Sequence, residues 1–142
     1  MSDPSLDTDD VVIYTDGASR GNPGPASYGF VLTDGDEVLY TESGFLGRST
    51  NNQAEYNAVI NALRTAIDAG VDSVKLFSDS QLLVNQLNGE WKVKDAELRE
   101  LYDTVQELLD EIDVAFTHVP RENRFVDLAD TLCNEKLDEE GH

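Results

Sequence analysis

The chain has 142 residues, 39% of them hydrophobic and 8% aromatic, which is enough for one packed domain and too little for two. Ten Lys and Arg stand against 29 Asp and Glu, a formal net charge of −19, and only four of the ten cations are lysine. The apolar runs fall far short of the roughly 20 residues that span a bilayer, the acidic start MSDPSLDTDD has no signal-peptide pattern, and the single Cys133 excludes an internal disulfide and fits a reducing cytosol.

In chain order, residues 1–10 read as a disordered acidic tail, 11–138 as one folded domain and 139–142 as a C-terminal tail. VVIYTD (11–16) is rich in β-branched residues and predicts a strand with Val12, Tyr14 and Asp16 on one face and Val11, Ile13 and Thr15 on the other. GASRGNPGP follows as a dense turn segment. A second strand over 27–33 and a third over 37–46 flank Asp34-Gly35, a hairpin signal, so the first three strands form an antiparallel meander.

The periodicity then changes. Thr50-Asn51-Asn52-Gln53 has the form of a capping box, and Ala58, Ala62, Leu63, Ala66 and Ile67 recur at helical spacing up to Gly70. SVKLFS (73–78) predicts a fourth strand, with Lys75, Phe77 and Asp79 on one side. A short helix over about 80–88 precedes the clearest one, 95–112, whose stripe is Leu98, Leu101, Tyr102, Val105, Leu108, Leu109 and Ile112. A fifth strand over 113–119 and a helix over about 124–138 complete the order βββαβααβα. Strands four and five are each reached through helices, so they run parallel to strand one. The expected class is α/β, a mixed five-stranded sheet with helices on both faces.

Acidic composition can signal disorder, but the periodic apolar pattern argues against it. A cation-binding or basic-partner surface would concentrate the charge, whereas here it is spread over both ends, the loops and the helix faces. The remaining reading is adaptation to molar salt. At about 1 M the Debye length falls to roughly 3 Å, and like charges on a surface cease to repel.

Five acids on four predicted elements stand out. Asp16 ends the predicted first strand and Asp79 the fourth, so parallel neighbours would bring both carboxylates to one edge of the sheet, where open α/β sheets place their sites. Glu55 lies in the first turns of a helix beside sheet-facing Ala54 and Ala58, and Asp127 and Asp130 lie early in the last helix. A converging set of this kind would raise its own pKa values and invite divalent cations. Oxygen-only ligands select Mg²⁺ or Mn²⁺ over zinc, and two such ions about 4 Å apart can hydrolyse a phosphodiester. Taken singly, Asp79 or Asp130 reads better as a helix cap than as a metal ligand. Gly17, Gly21 and Gly24 would let backbone approach a ligand, and Asn51, Asn52, Gln53 and the run Ser80, Gln81, Asn85, Gln86 offer amides and hydroxyls of the kind that meet a nucleic-acid backbone; capping and turn chemistry account for part of both.

In combination, TDGASRGNPGPASYGFVL, STNNQAEYNAVINAL, FSDSQLLVNQLNG and HVPRENRFVDLADTLCNEKL resemble the type 1 ribonuclease H family from about Val11 to Leu137, and the acidity suggests an archaeal, salt-adapted member. The resemblance implies a ribonuclease H-like fold. It also implies a cytoplasmic, monomeric endoribonuclease that cuts the RNA strand of RNA–DNA hybrids, leaving 5′-phosphate and 3′-hydroxyl ends, with double-stranded RNA as a second candidate duplex. By the same resemblance Asp16, Glu55 and Asp79 are ligands to two Mg²⁺ ions, or to Mn²⁺. Ser19, Asn22, Thr50, Asn51, Asn52 and Gln81 then touch the hybrid. The fourth ligand is Asp130 or Asp127. Ala129-Asp130-Thr131-Leu132 matches the family's closing helix, whereas the spacing from Asn123 favours Asp127. An insertion in a loop is tolerated better than one inside a helix, so Asp130 is preferred.

Two departures stand against the family pattern. VPREN replaces the loop that carries a mobile histidine in some members, leaving His118 within a strand and Arg121 as either a substrate contact or a surface cation. NGEWKVKDAEL lacks the long basic helix of some bacterial members and keeps only Trp91, Lys92 and Lys94, a reduced version of it, with Trp91 otherwise read as core or rim packing. Two competing readings are another nuclease of the same fold, such as an integrase- or resolvase-like enzyme, and a non-enzymatic duplex-binding module. The first needs DNA-binding elements for which this chain has no room, and the second leaves the full carboxylate set without a use.

Overall fold

A computed structural model describes residues 11–142, so the acidic segment 1–10 lies outside the described residues. The elements are β1 (Val12–Ser19), β2 (Gly24–Thr33), β3 (Val38–Ser49), α1 (Asn51–Asp68), β4 (Ser73–Ser78), α2 (Gln81–Leu87), α3 (Ala96–Leu108), β5 (Asp113–His118) and α4 (Arg124–Glu139). The sheet order is β3-β2-β1-β4-β5. β1, β2 and β3 pair antiparallel, while β4 runs parallel to both β1 and β5.

β1 is central, and its alternation divides two cores. Val11 and Ile13 join Phe30, Leu76, Val59 and Leu63 beneath α1. Val12 and Tyr14 join Val31, Phe125, Val126 and Ala129 beneath α4 on the opposite face. The Tyr14 ring lies 5.2 Å from Phe77 and 4.9 Å from Phe125, so adjacent parallel strands and α4 meet in one aromatic contact.

Helix α1 is tied at both ends. Thr50 Oγ1 accepts from the Gln53 N–H at 3.1 Å and Gln53 Oε1 accepts from the Thr50 N–H at 3.0 Å, the reciprocal pattern read from the sequence. Such a cap contributes about 1 kcal/mol. At the other end Gly70 takes φ +81°, and the Val71 and Gly70 N–H groups, each at 3.0 Å, donate back to Ala66 and Ile67.

Three expectations need correction. β1 does not stop at Asp16, because antiparallel pairing with β2 continues to Ser19↔Ala26 and the turn shrinks to residues 20–23. β3 runs on to Ser49 for the same reason, paired to the start of β2. α3 ends at Leu108 with Leu109 as its cap, and the buried Ile112 packs from beyond the helix. The β2–β3 connection spans residues 34–37, where Asp34 Oδ1 accepts the Asp36 and Glu37 N–H groups at 3.0 and 2.8 Å. At the end of the chain, the His142 ring stacks on Phe45 at 5.4 Å. No helix among the described residues is long and apolar enough to cross a membrane.

Candidate active site

Asp16 sits in β1 one residue beyond Thr15, whose partner Ser78 is the last residue of β4. Asp79 follows immediately, so both carboxylates emerge where β4 ends and β1 continues. Glu55 reaches them from the second turn of α1 because Gly17 has no side chain. A Cβ at Gly17 would lie 2.5 Å from the Ala54 carbonyl carbon, so only glycine lets the helix settle this closely on the strand. The Gly17 N–H donates to Glu55 Oε1 at 2.6 Å, and the Ser78 hydroxyl lies 3.3 Å from Oε2.

The result is a carboxylate cluster built from three separate elements. Asp16, Glu55 and Asp79 each offer an oxygen, and these oxygens lie within 4.8 Å of one another. Asp130, from α4, lines the same cavity and is among the groups that raise the pKa of the Asp16 carboxyl. Asp127 is one turn earlier, exposed, and not among the residues that line the cavity. α4 is held in this register by close packing. A Cβ on Gly29 would lie 2.7 Å from the Ala129 carbonyl oxygen, and Ser27 Oγ donates to the Cys133 carbonyl at 2.7 Å.

Crowding sets the electrostatics. Asp16 and Glu55 are only 6% and 7% exposed. Burial, reinforced by the Glu55 carboxylate, pushes Asp16 up to about 11. Burial likewise lifts Glu55 to about 7, opposed by its hydrogen bond with Asp16 and by the Gly17 N–H. Asp79 is raised by burial while the Arg121 guanidinium pulls it back. In Asp16 and Glu55 burial and crowding therefore favour the protonated form when no cation is near. The donor set is all oxygen and suits a hard divalent ion. Cys133 Sγ contacts the Asp16 backbone carbonyl from behind at 3.5 Å, and His118 Nε2 lies 3.2 Å from the Asp79 backbone carbonyl; neither bond involves a side-chain carboxylate.

The cavity over the cluster has a volume of about 360 Å³. Of the residues expected to touch a substrate, Ser19, Asn51 and Asn52 line it, and Asn22, Thr50 and Gln81 do not. Asn22 Oδ1 instead accepts the Asn51 N–H at 3.1 Å, and Thr50 caps α1. Gln81 opens α2 in an exposed position. Arg121 lines the cavity beside Asp79. Ser78 and Asn134 escaped the sequence reading. Ser78 carried a signal, since it directly precedes Asp79 and alternates with Leu76 toward the α1 face. Trp91 is 47% exposed and borders a separate groove with Lys92, Lys94 and Arg99, so it is rim rather than core.

Comparison with known proteins bears on the same residues. A family model described as reverse transcriptase-like matches residues 14–136. Ribonuclease HI of Halobacterium salinarum is 50% identical over 128 residues, 89% of this chain and 63% of that protein, so this chain spans less than two thirds of that relative's length. The crystal structure of RNase H1 from the halophilic archaeon Halobacterium salinarum superposes with a TM-score of 0.86 at 48% identity, covering 91% of this chain and 98% of that one. That of LC11-RNase H1 in complex with an RNA/DNA hybrid gives 0.88 at 40% identity, covering 93% and 99%. A shared five-stranded sheet, a family model spanning the three clustered acids and near-half identity to a ribonuclease HI lead to one conclusion: the chain belongs to the type 1 ribonuclease H family.

Proposed function

We propose that this chain is an endoribonuclease that hydrolyses the RNA strand of RNA–DNA hybrids. In this reading Asp16, Glu55, Asp79 and Asp130 hold two Mg²⁺ ions, for which Mn²⁺ substitutes, and the products carry 5′-phosphate and 3′-hydroxyl ends. The observation that carries it is the convergence of Asp16, Glu55 and Asp79 within 4.8 Å. Three acids this close, with Arg121 as the cation lining their cavity, make an arrangement that a divalent ion relieves. The hybrid seen bound to the 40%-identical LC11-RNase H1 supports the substrate.

When bound, the ions would supply an activated water and stabilise the departing oxygen. The chain's own residues orient the rest. Gly17 and Ser78 hold the Glu55 carboxylate from the protein side, leaving its outer face to the cavity. Ser19, Asn51 and Asn52 would set the duplex against the cluster through neutral hydrogen bonds, and Arg121 would offer its guanidinium to a phosphate beside Asp79.

The net charge of −19 opposes nucleic-acid binding at low ionic strength. In molar salt that repulsion is screened over roughly 3 Å, and counterion release contributes little for any binder. Neutral amides and cation-bridged phosphates then suffice, which fits an enzyme that works in concentrated KCl. The test is incubation of the chain in molar KCl with Mg²⁺ and end-labelled RNA–DNA, RNA–RNA and DNA–DNA duplexes. Cleavage confined to the RNA strand of the hybrid, abolished by EDTA, is expected. Cleavage of DNA–DNA, or of nothing, contradicts the proposal.

A further inference from the structure

We infer that Ser78 is a positioning residue for Glu55, holding its carboxylate in the orientation that the metal site needs. The inference rests on the metal reading above and deepens it.

Ser78 is fully buried at the end of β4, pointing to the α1 side of the sheet. Its oxygen accepts the Ser80 N–H at 3.0 Å. That bond occupies Oγ as an acceptor and leaves its own hydrogen to be donated. Glu55 Oε2, 3.3 Å away, is the partner that receives it. The other carboxylate oxygen already accepts the Gly17 N–H at 2.6 Å. The Gly17 N–H and the Ser78 hydroxyl therefore serve different Glu55 oxygens, and a carboxylate oxygen with one such donor retains lone-pair capacity for a ligand.

The need for such a device follows from geometry. Glu55 is a long side chain entering from α1, whereas Asp16 and Asp79 sit on the sheet itself. A glutamate terminus is a broad, weakly restricted rotor. With the Gly17 bond alone, it can turn about the Oε1 contact; the second donor fixes the plane. Thr15, paired with Ser78 across β1 and β4, also has a buried hydroxyl, but that hydroxyl has no hydrogen-bond partner among the described residues. Ser78 is thus the strand hydroxyl that reaches the carboxylate. Residues that orient metal ligands through hydrogen bonds typically alter metal affinity by about 10–100-fold when removed.

The experiment is a Mn²⁺ titration of the full chain in molar KCl, following the free-ion EPR signal, for the unmodified chain, Ser78→Ala, Ser78→Thr, Glu55→Gln and the double variant Ser78→Ala/Glu55→Gln. Circular dichroism melts in EDTA check that each is folded. Ser78→Ala is expected to bind Mn²⁺ about 10-fold more weakly, with Ser78→Thr restoring affinity through its hydroxyl. In the Glu55→Gln background Ser78→Ala is expected to change nothing further. Equal Mn²⁺ affinity in Ser78→Ala and the unmodified chain overturns the inference and leaves the metal reading standing, as does an equal loss with and without Glu55. Absence of Mn²⁺ binding in the unmodified chain overturns the metal reading, and this inference with it. If Ser78→Thr does not fold, the Ser78→Ala comparison and the double variant decide alone.

Discussion

Replacing Glu55 with glutamine is expected to stabilise the metal-free protein while removing the proposed hydrolysis of hybrids. Burial lifts the Glu55 carboxyl from 4.5 to about 7, so in the absence of a cation folding favours its neutral form. The stabilisation from that protonated state is complete below pH 4.5 and is lost as pH rises through about 7. At about 1.4 kcal/mol per pH unit, the interval amounts to about 3 kcal/mol at pH 8. The amide of Glu55→Gln never ionises and keeps an oxygen for the Gly17 N–H, but it alters the bond shared with Asp16. A net gain of about 2 kcal/mol is therefore the expected size. For a chain of this length that corresponds to a rise of about 7 °C in Tm. Thermal melts in molar KCl and EDTA at pH 8 and pH 5 measure it. At pH 5 the gain shrinks to less than about 1 kcal/mol, because Glu55 is already protonated in the native chain. Saturating Mg²⁺ narrows or reverses the order, since a ligand at 100 times its Kd stabilises the native chain by about 2.7 kcal/mol. A Glu55→Gln variant that melts at or below the native chain at pH 8 in EDTA, or whose gain is the same at both pH values, refutes the reasoning.

Three further outcomes follow from the same geometry. Asp130→Asn is expected to lower turnover on the hybrid by on the order of 10²-fold while Asp127→Asn leaves it near native; the reverse ranking in a steady-state assay would transfer the role to Asp127. Gly17→Ala forces a methyl against the Ala54 backbone, and is expected to cost about 1–3 kcal/mol in denaturant unfolding and to depress Mn²⁺ affinity by displacing α1. In low salt the chain is expected to loosen or unfold and to recover its circular dichroism in molar KCl. Among the described residues only three ion pairs form, Arg20–Asp138, Arg99–Asp103 and Lys136–Glu139, so most of its carboxylates repel without local compensation. A melt unchanged between low and molar KCl counts against salt adaptation.

Much of this was legible in the residues because local rules and the global fold agree. Alternation along 11–16 placed Ile13 and Tyr14 under different helices, and Thr50 with Gln53 announced the start of α1. The two parallel strands followed from the helical crossovers before them. What failed was the length of strands. β1 and β3 run past their apolar stretches because ladder pairing with β2 continues through Gly17-Ala18-Ser19 and Gly47-Arg48-Ser49, and no side-chain period reports backbone pairing. The acids could be picked out one by one: Asp79 from its place just past the end of β4, Asp16 from the glycine that follows its apolar run, and Glu55 from the sheet-facing Ala54 and Ala58 beside it. The close approach that Gly17 permits, the second donor at Ser78 and the packing of α4 on Gly29 could not, because each depends on distances between elements far apart in the chain.

The most direct test of the central claim is a crystal of the chain soaked in Mn²⁺ and examined by anomalous diffraction. The account predicts a peak coordinated by Asp16, Glu55 and Asp79, with a second near Asp130 once a hybrid is bound to an inactivated variant. No peak among these carboxylates, or manganese held elsewhere on the acidic surface in their stead, would contradict it.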